Sequence, residues 1–228
     1  MMMRNLASLL FAGGLGFLLC VLVGGLDFGN LPMVAGGLIQ SEAPAQVGTA
    51  NIVTAVVLGY RGIDTLGELS ILFASAAAAG LVLGRRRTAA DKEPEGGFIL
   101  RAGGDLLFPL LLVVGFYIIF HGHLTPGGGF QGGVILAAAF FLPLLARPGS
   151  SLNHAGLSFI EGLAGAGFIL IGLWALWQGG EFLQPMLERG VLGELLSAGT
   201  LPLLYLAVGL KVGAELAGLL AHLAEADE

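Results

Sequence analysis

The sequence predicts an all-α, polytopic integral membrane protein, and three observations carry that reading. Hydrophobic residues make up 56% of the 228 and charged residues only 11%, less than half of the roughly 25% usual in a soluble domain. The apolar residues gather into six long blocks, each near the ~20 residues that cross a hydrocarbon layer as a helix. Nothing shows the short alternating segments of a membrane β-barrel. Low charge with high apolar content excludes disorder, and the polar residues are too few to clothe one soluble core.

The first block, residues 6–26, follows Arg4 but runs too long for a signal-peptide core, so it reads as a retained span. Residues 45–60 hold too few apolar side chains for a crossing and read as a short helix lying in or dipping into the outer interface. The second span covers residues 63–83. The charged linker 85–95, RRRTAADKEPE, then divides the chain into two spans before it and four after it. Those four cover residues 98–120, 130–146, 153–177 and 200–220.

Arg4, Arg85, Arg86, Arg87, Lys92, Arg101 and Arg147 fall on one side of a six-span arrangement, and Arg61 and Arg189 on the other. The positive-inside bias therefore predicts cytoplasmic termini, with residues 27–62 and 178–199 facing outward. The net charge of −6, from 16 acids and 10 bases, leaves no basic face for nucleic acid. Cys20 sits alone in an apolar run, which offers neither a disulfide framework nor a cysteine metal site. The 39 glycines read as close helix packing.

Charges within spans mark the candidate functional residues, because each is expensive to place in lipid. Lys211 lies mid-span in VGLKVGAEL, on a helical face with Thr200, Leu204, Ala207, Glu215, Gly218 and His222. Lys211 and Glu215, at i and i+4, can pair along the helix, as an ion relay or as a helix lock. Glu161 shares a face with Ser158, Gly162, Gly165 and Gly172 in a span that contains no base. Its partner must come from elsewhere, with Lys211 the natural nominee; the alternative is a carboxyl kept neutral by burial.

Arg101 and Asp105 open the third span at i and i+4, and Pro109 frees the carbonyl of Asp105; the group reads as a cation-friendly bend or as interfacial anchoring. His121 and His123 point to different faces of a helix end, a poor metal geometry, and read as interfacial. Arg61, Asp64 and Glu68 flank the outer start of the second span, either as an ion-pathway mouth or as a capping cluster. In Thr125-Pro126-Gly127-Gly128-Gly129-Phe130-Gln131-Gly132-Gly133 the glycines permit a tight hairpin and close backbone approach. No Lys-Ser/Thr follows, so this is a packing corner rather than a phosphate loop. No catalytic residue, metal site or cofactor is expected.

Two of these stretches resemble parts of one system. TPGGGFQGGVILAAAF, residues 125–140, resembles the signature of the MnhB subunit of the Mrp-type multisubunit Na+/H+ antiporters, and the four spans from Phe98 match that subunit's plan. NIVTAVVLGYRGIDTLGELSIL, residues 51–72, resembles the C-terminal part of the large antiporter subunit, which in the related membrane-bound hydrogenases is a separate small two-span chain. The resemblance implies a fusion: residues 1–90 as the two-span module and 91–228 as the MnhB-like module. It further implies a bilayer-embedded subunit that assembles with large antiporter-like and small subunits in an Mrp-type or hydrogenase-like complex moving Na+ and H+. Lys211, Glu161, Glu215, Asp105, Asp64 and Glu68 are its ion-pathway candidates, against the alternative of a structural adaptor that conducts nothing.

Overall fold

The computed structural model describes residues 2–26, 33–83, 96–147 and 152–225. The linker 85–95, and with it the module boundary at 90/91, lies outside the described residues. Among those described, the elements are α1 (Met2–Gly24), α2 (Val34–Val47), α3 (Ile52–Thr54), a π-helical turn (Ala55–Tyr60), α4 (Gly62–Leu83), α5 (Phe98–Phe120), α6 (Gly129–Ala146), α7 (His154–Trp177) and α8 (Leu201–Glu225). The chain forms two compact units, Met1–Gly37 and Leu38–Glu228.

Five of the expected spans are long and apolar enough to cross a bilayer: Gly62–Val82, Phe98–Phe120, Gly129–Ala146, His154–Trp177 and Leu201–Ala224. The first block is a shorter case, since its apolar stretch Leu9–Gly24 falls below the ~20 residues of a full crossing. The protein is a multi-pass membrane protein.

Within the second unit, α8 is the central helix and packs against α6, α7, α4 and α5. Leu201, Leu204, Val208 and Val212 line its buried side. Glycine lets α6 approach it: a Cβ at Gly129 would stand 2.6 Å from Val208 Cβ, and one at Gly133 only 2.9 Å from the Gly209 carbonyl oxygen. Without a hydrophobic drive between helices in lipid, such small-residue contact is what holds a bundle together. Pro109 and Pro143 lie inside α5 and α6, which membrane helices tolerate when neighbours satisfy the freed backbone groups.

The 45–60 region departs from the expected interfacial helix. A longer helix, α2, begins at Val34 and runs through Pro44. It stops at Gly48, where φ is +74°, a conformation that suits only glycine well. Asn51 then caps α3 by accepting hydrogen bonds from the Val53 and Thr54 amides, and a π-helical turn leads to Arg61. Val47, Thr49, Thr54, Ala55 and Leu58 are buried in protein rather than laid at a lipid surface. The two segments assigned to the outer side meet, since Arg189 donates to the Ala45 carbonyl at 3.0 Å.

Candidate functional site

The glycine-rich corner is a polar knot. Gly128 caps α6 at φ 138°, and a Cβ there would stand 2.6 Å from the Tyr205 ring. The turn before it exposes carbonyls that the α2–α3 segment satisfies. The His123 carbonyl accepts from Thr49 Oγ1 at 2.5 Å and from the Ala50 and Asn51 amides at 3.1 Å. Asn51 Nδ2 donates to the Gly122 and Thr125 carbonyls at 2.8 and 2.9 Å. Thr54 Oγ1 donates to Gly122 at 2.6 Å and accepts from the Tyr205 hydroxyl at 2.6 Å. Gly129, Gly132 and Gly133 are buried, Phe130 is half-buried, and Pro126 and Gln131 are exposed. The motif thus packs three elements together through backbone approach.

His123 is not the interfacial histidine its position implied. It is fully buried, with Nε2 3.4 Å from the Glu194 carbonyl, because the residue 178–200 loop folds over it. Burial holds its pKa below the ordinary 6.5, so the ring is neutral at pH 7. His121 stacks on Tyr117 at 4.0 Å and makes no common site with it.

The second constellation is charged. Lys211 Nζ lies 2.8 Å from Glu215 Oε2 and 3.5 Å from Glu161 Oε1, with the Phe73 ring centroid at 5.2 Å. Lys211 is 9% and Glu215 4% exposed. The i,i+4 spacing brings Lys211 and Glu215 together, and Gly165 admits the lysine stem, lying 3.6 Å from the position a Cβ would take. Glu215 Oε1 is buried with no hydrogen-bond partner among the described residues. Two acids share one base where charge is poorly solvated, so the cluster carries one excess negative charge whenever all three groups are ionised.

Two cavities flank this cluster among α4, α7 and α8. One, of about 310 Å³, is lined by Phe73, Glu161, Glu215, His154 and His222 among others. The other, of about 250 Å³, is lined by Leu66, Ser70, Phe73, Glu161, Ile169 and Lys211 among others. The His154 and His222 rings lie 4.9 Å apart. Sequence reasoning missed Phe73 and His154. For His154 the signal was present, since 154, 158, 161 and 165 follow one helical face; for Phe73 there was none.

The remaining candidates lie apart from the cluster. Asp105 pairs with Arg147 rather than serving Arg101 alone: both its oxygens accept from the guanidinium, at 2.8 and 2.7 Å. This exposed fork ties α5 to the end of α6. Asp64 pairs with Arg61 at the start of α4, both exposed, and Glu68 is exposed one turn further on. Among the described residues, no group of three or more His, Cys, Asp or Glu side chains could hold a metal ion.

Residues 99–218 match the family described as "Domain related to MnhB subunit of Na+/H+ antiporter". The chain belongs to this MnhB-related family. It is a membrane subunit of the kind found in antiporter modules, and in that sense a transport subunit. An uncharacterized protein of Methanocaldococcus jannaschii is 33% identical over 196 residues, covering 74% of each chain. A chain of the membrane-bound sulfane sulfur reductase, an archaeal respiratory membrane complex, superposes with a TM-score of 0.80 at 38% identity, covering 100% of both. A chain of the Mrp complex from Dietzia sp. DQ12-45-1b shares the fold at TM-score 0.74 and 23% identity, covering 99% of this chain and 26% of that one.

Proposed function

We propose that this chain is an integral subunit of a cation/proton antiporter module and that the Lys211–Glu161–Glu215 cluster lies on its ion pathway. The observation that carries this is the cluster itself: three ionisable groups at membrane depth, joined by short distances and opening on two cavities. Intramembrane ionisable groups that face a cavity are most often functional. Asp64 and Glu68 stand at the outer mouth in this reading. Asp105 is assigned to anchoring, since Arg147 engages both its oxygens.

The module works within a larger assembly of antiporter-like and small subunits, moving Na+ and H+, in a prokaryotic plasma membrane with both termini cytoplasmic. The full-length similarity to a respiratory-complex chain favours a redox-driven parent over a free-standing antiporter. The chain is read as a fusion of a two-span module, residues 1–90, with an MnhB-like module, 91–228. The family match beginning at residue 99 supports that boundary. The structural-adaptor reading draws on the polar knot, which explains cohesion without conduction.

The deciding experiment is antiport by the assembled complex carrying Lys211→Ala or Glu161→Gln. Loss of antiport with all subunits still co-purifying supports the pathway, and intact antiport leaves the adaptor. Identifying the co-purified partners tests the parent complex: iron–sulfur proteins among them mark a redox-driven pump, and antiporter-like subunits alone a secondary antiporter.

A further inference from the structure

The two cavities stack along the bundle in one consistent sense. On α4 they are lined by residues 66–73 and then 73–81, on α7 by 161–169 and then 154–161, and on α8 by Lys211 and then 214–222. Because α7 runs opposite to α4 and α8 in this ordering, the cavities occupy two successive levels rather than two sides of one level. Phe73 and Glu161 stand at the boundary and line both.

The three charged groups therefore have different access. Lys211 faces only the cavity that contains Ser70, and Glu215 faces only the one that contains His154 and His222. Glu161 alone among the titratable groups lines both, and its side chain is 21% exposed against 2% for Glu215. It is also held more loosely, 3.5 Å from Lys211 Nζ against 2.8 Å for Glu215.

Resting on the pathway reading above, we propose that Glu161 is the proton-exchanging carboxylate of this subunit, reached from both cavities, while Glu215 serves as the fixed counter-ion of Lys211. The ligand is a proton rather than a metal cation. An ammonium already sits beside both carboxylates and repels a second cation, whereas protonating Glu161 removes the excess negative charge and releases its hold on Lys211. The groups facing Glu161 are Lys211 and Glu215 from α8, with His222 further along it and His154 from its own helix; α4 contributes no titratable side chain to either lining.

The test uses the assembled complex in sealed vesicles of known orientation, with Cys20→Ser to remove this chain's only cysteine and labelling read on this chain alone. Ser158→Cys and Ser70→Cys, which leave the cluster intact, are probed with a membrane-impermeant methanethiosulfonate from each side. Labelling from opposite sides is expected, and labelling of both from one side overturns the proposal. In antiport assays Glu161→Gln should lower the rate by about 100-fold, the scale of a positioned proton-transfer group, with Glu161→Asp recovering part of it and Glu215→Gln losing much less. Equal losses at Glu161 and Glu215 overturn the assignment but leave the pathway standing; no loss at either removes the pathway as well. Na+ protecting Ser158→Cys from labelling only when Glu161 is present overturns the choice of a proton.

Discussion

The polar knot at the glycine corner and the charged cluster lower on α8 are built on the same helix and solve opposite problems. In the knot, neutral groups meet neutral groups, and the His123, Gly122 and Thr125 carbonyls all find donors from the α2–α3 segment. In the cluster, two acids share one base, cavities lie on either side, and a buried carboxylate oxygen is left without a partner among the described residues. His123 Nδ1 in the knot is likewise without a partner among the described residues, so what separates the two regions is the charge and the flanking cavities of the cluster. On the proposed reading the knot serves cohesion and the cluster serves transport.

That division can be broken most forcefully at Lys211. Lys211→Ala strands two carboxylates and should destabilise the protein by about 3–5 kcal/mol, as breaking a buried pair does. The double variant Lys211→Leu/Glu215→Leu should recover much of that loss in thermal unfolding of the detergent-solubilised complex without restoring antiport. Equal destabilisation by single and double variants would show that the Lys211–Glu215 pairing contributes nothing.

On the knot side, Gly133→Val drives a side chain into the Gly209 backbone and Val212, and should cost about 1–3 kcal/mol by overpacking. Tyr205→Phe removes a single hydrogen bond from Thr54 and should cost about 1 kcal/mol. Both are read as a lower midpoint of thermal unfolding, with antiport per assembled complex unchanged.

The knot also carries a pH signature. His123 is held neutral by burial, so the unfolded chain binds more protons wherever the pH lies between its lowered value and the ordinary 6.5. Stability from this group is complete above about pH 6.5 and declines as the pH falls below it. His123→Gln should flatten that acid limb, measured as unfolding temperature against pH. The smallest effect belongs to Arg147→Ala, because the Asp105 fork is exposed and solvent screens it; unfolding should be unmoved within error.

The cluster was more legible in the sequence than the knot. The Lys211–Glu215 spacing fixes an intrahelical pair, and the absence of a base in the Glu161 span sends that carboxylate to another helix. Helix α2 was hidden because Pro44, with Ser41 and Glu42 before it, reads as loop, and of its fourteen residues only Ala43 and Val47 are buried. The burial of His123 depends on residues about seventy positions away, through Asn51 on one side and Glu194 on the other. The Asp105–Arg147 pair needs the α5–α6 hairpin to exist before the partners can meet. Long-range closure of polar groups leaves no local periodicity to read.

The most direct test of the central claim is antiport by proteoliposomes containing the assembled complex with Lys211→Leu/Glu215→Leu, a variant that removes the charged pair while keeping the helix packed. Loss of Na+-driven proton movement with every subunit retained is the predicted result. Wild-type antiport from that variant would contradict the account and leave the chain as a scaffold.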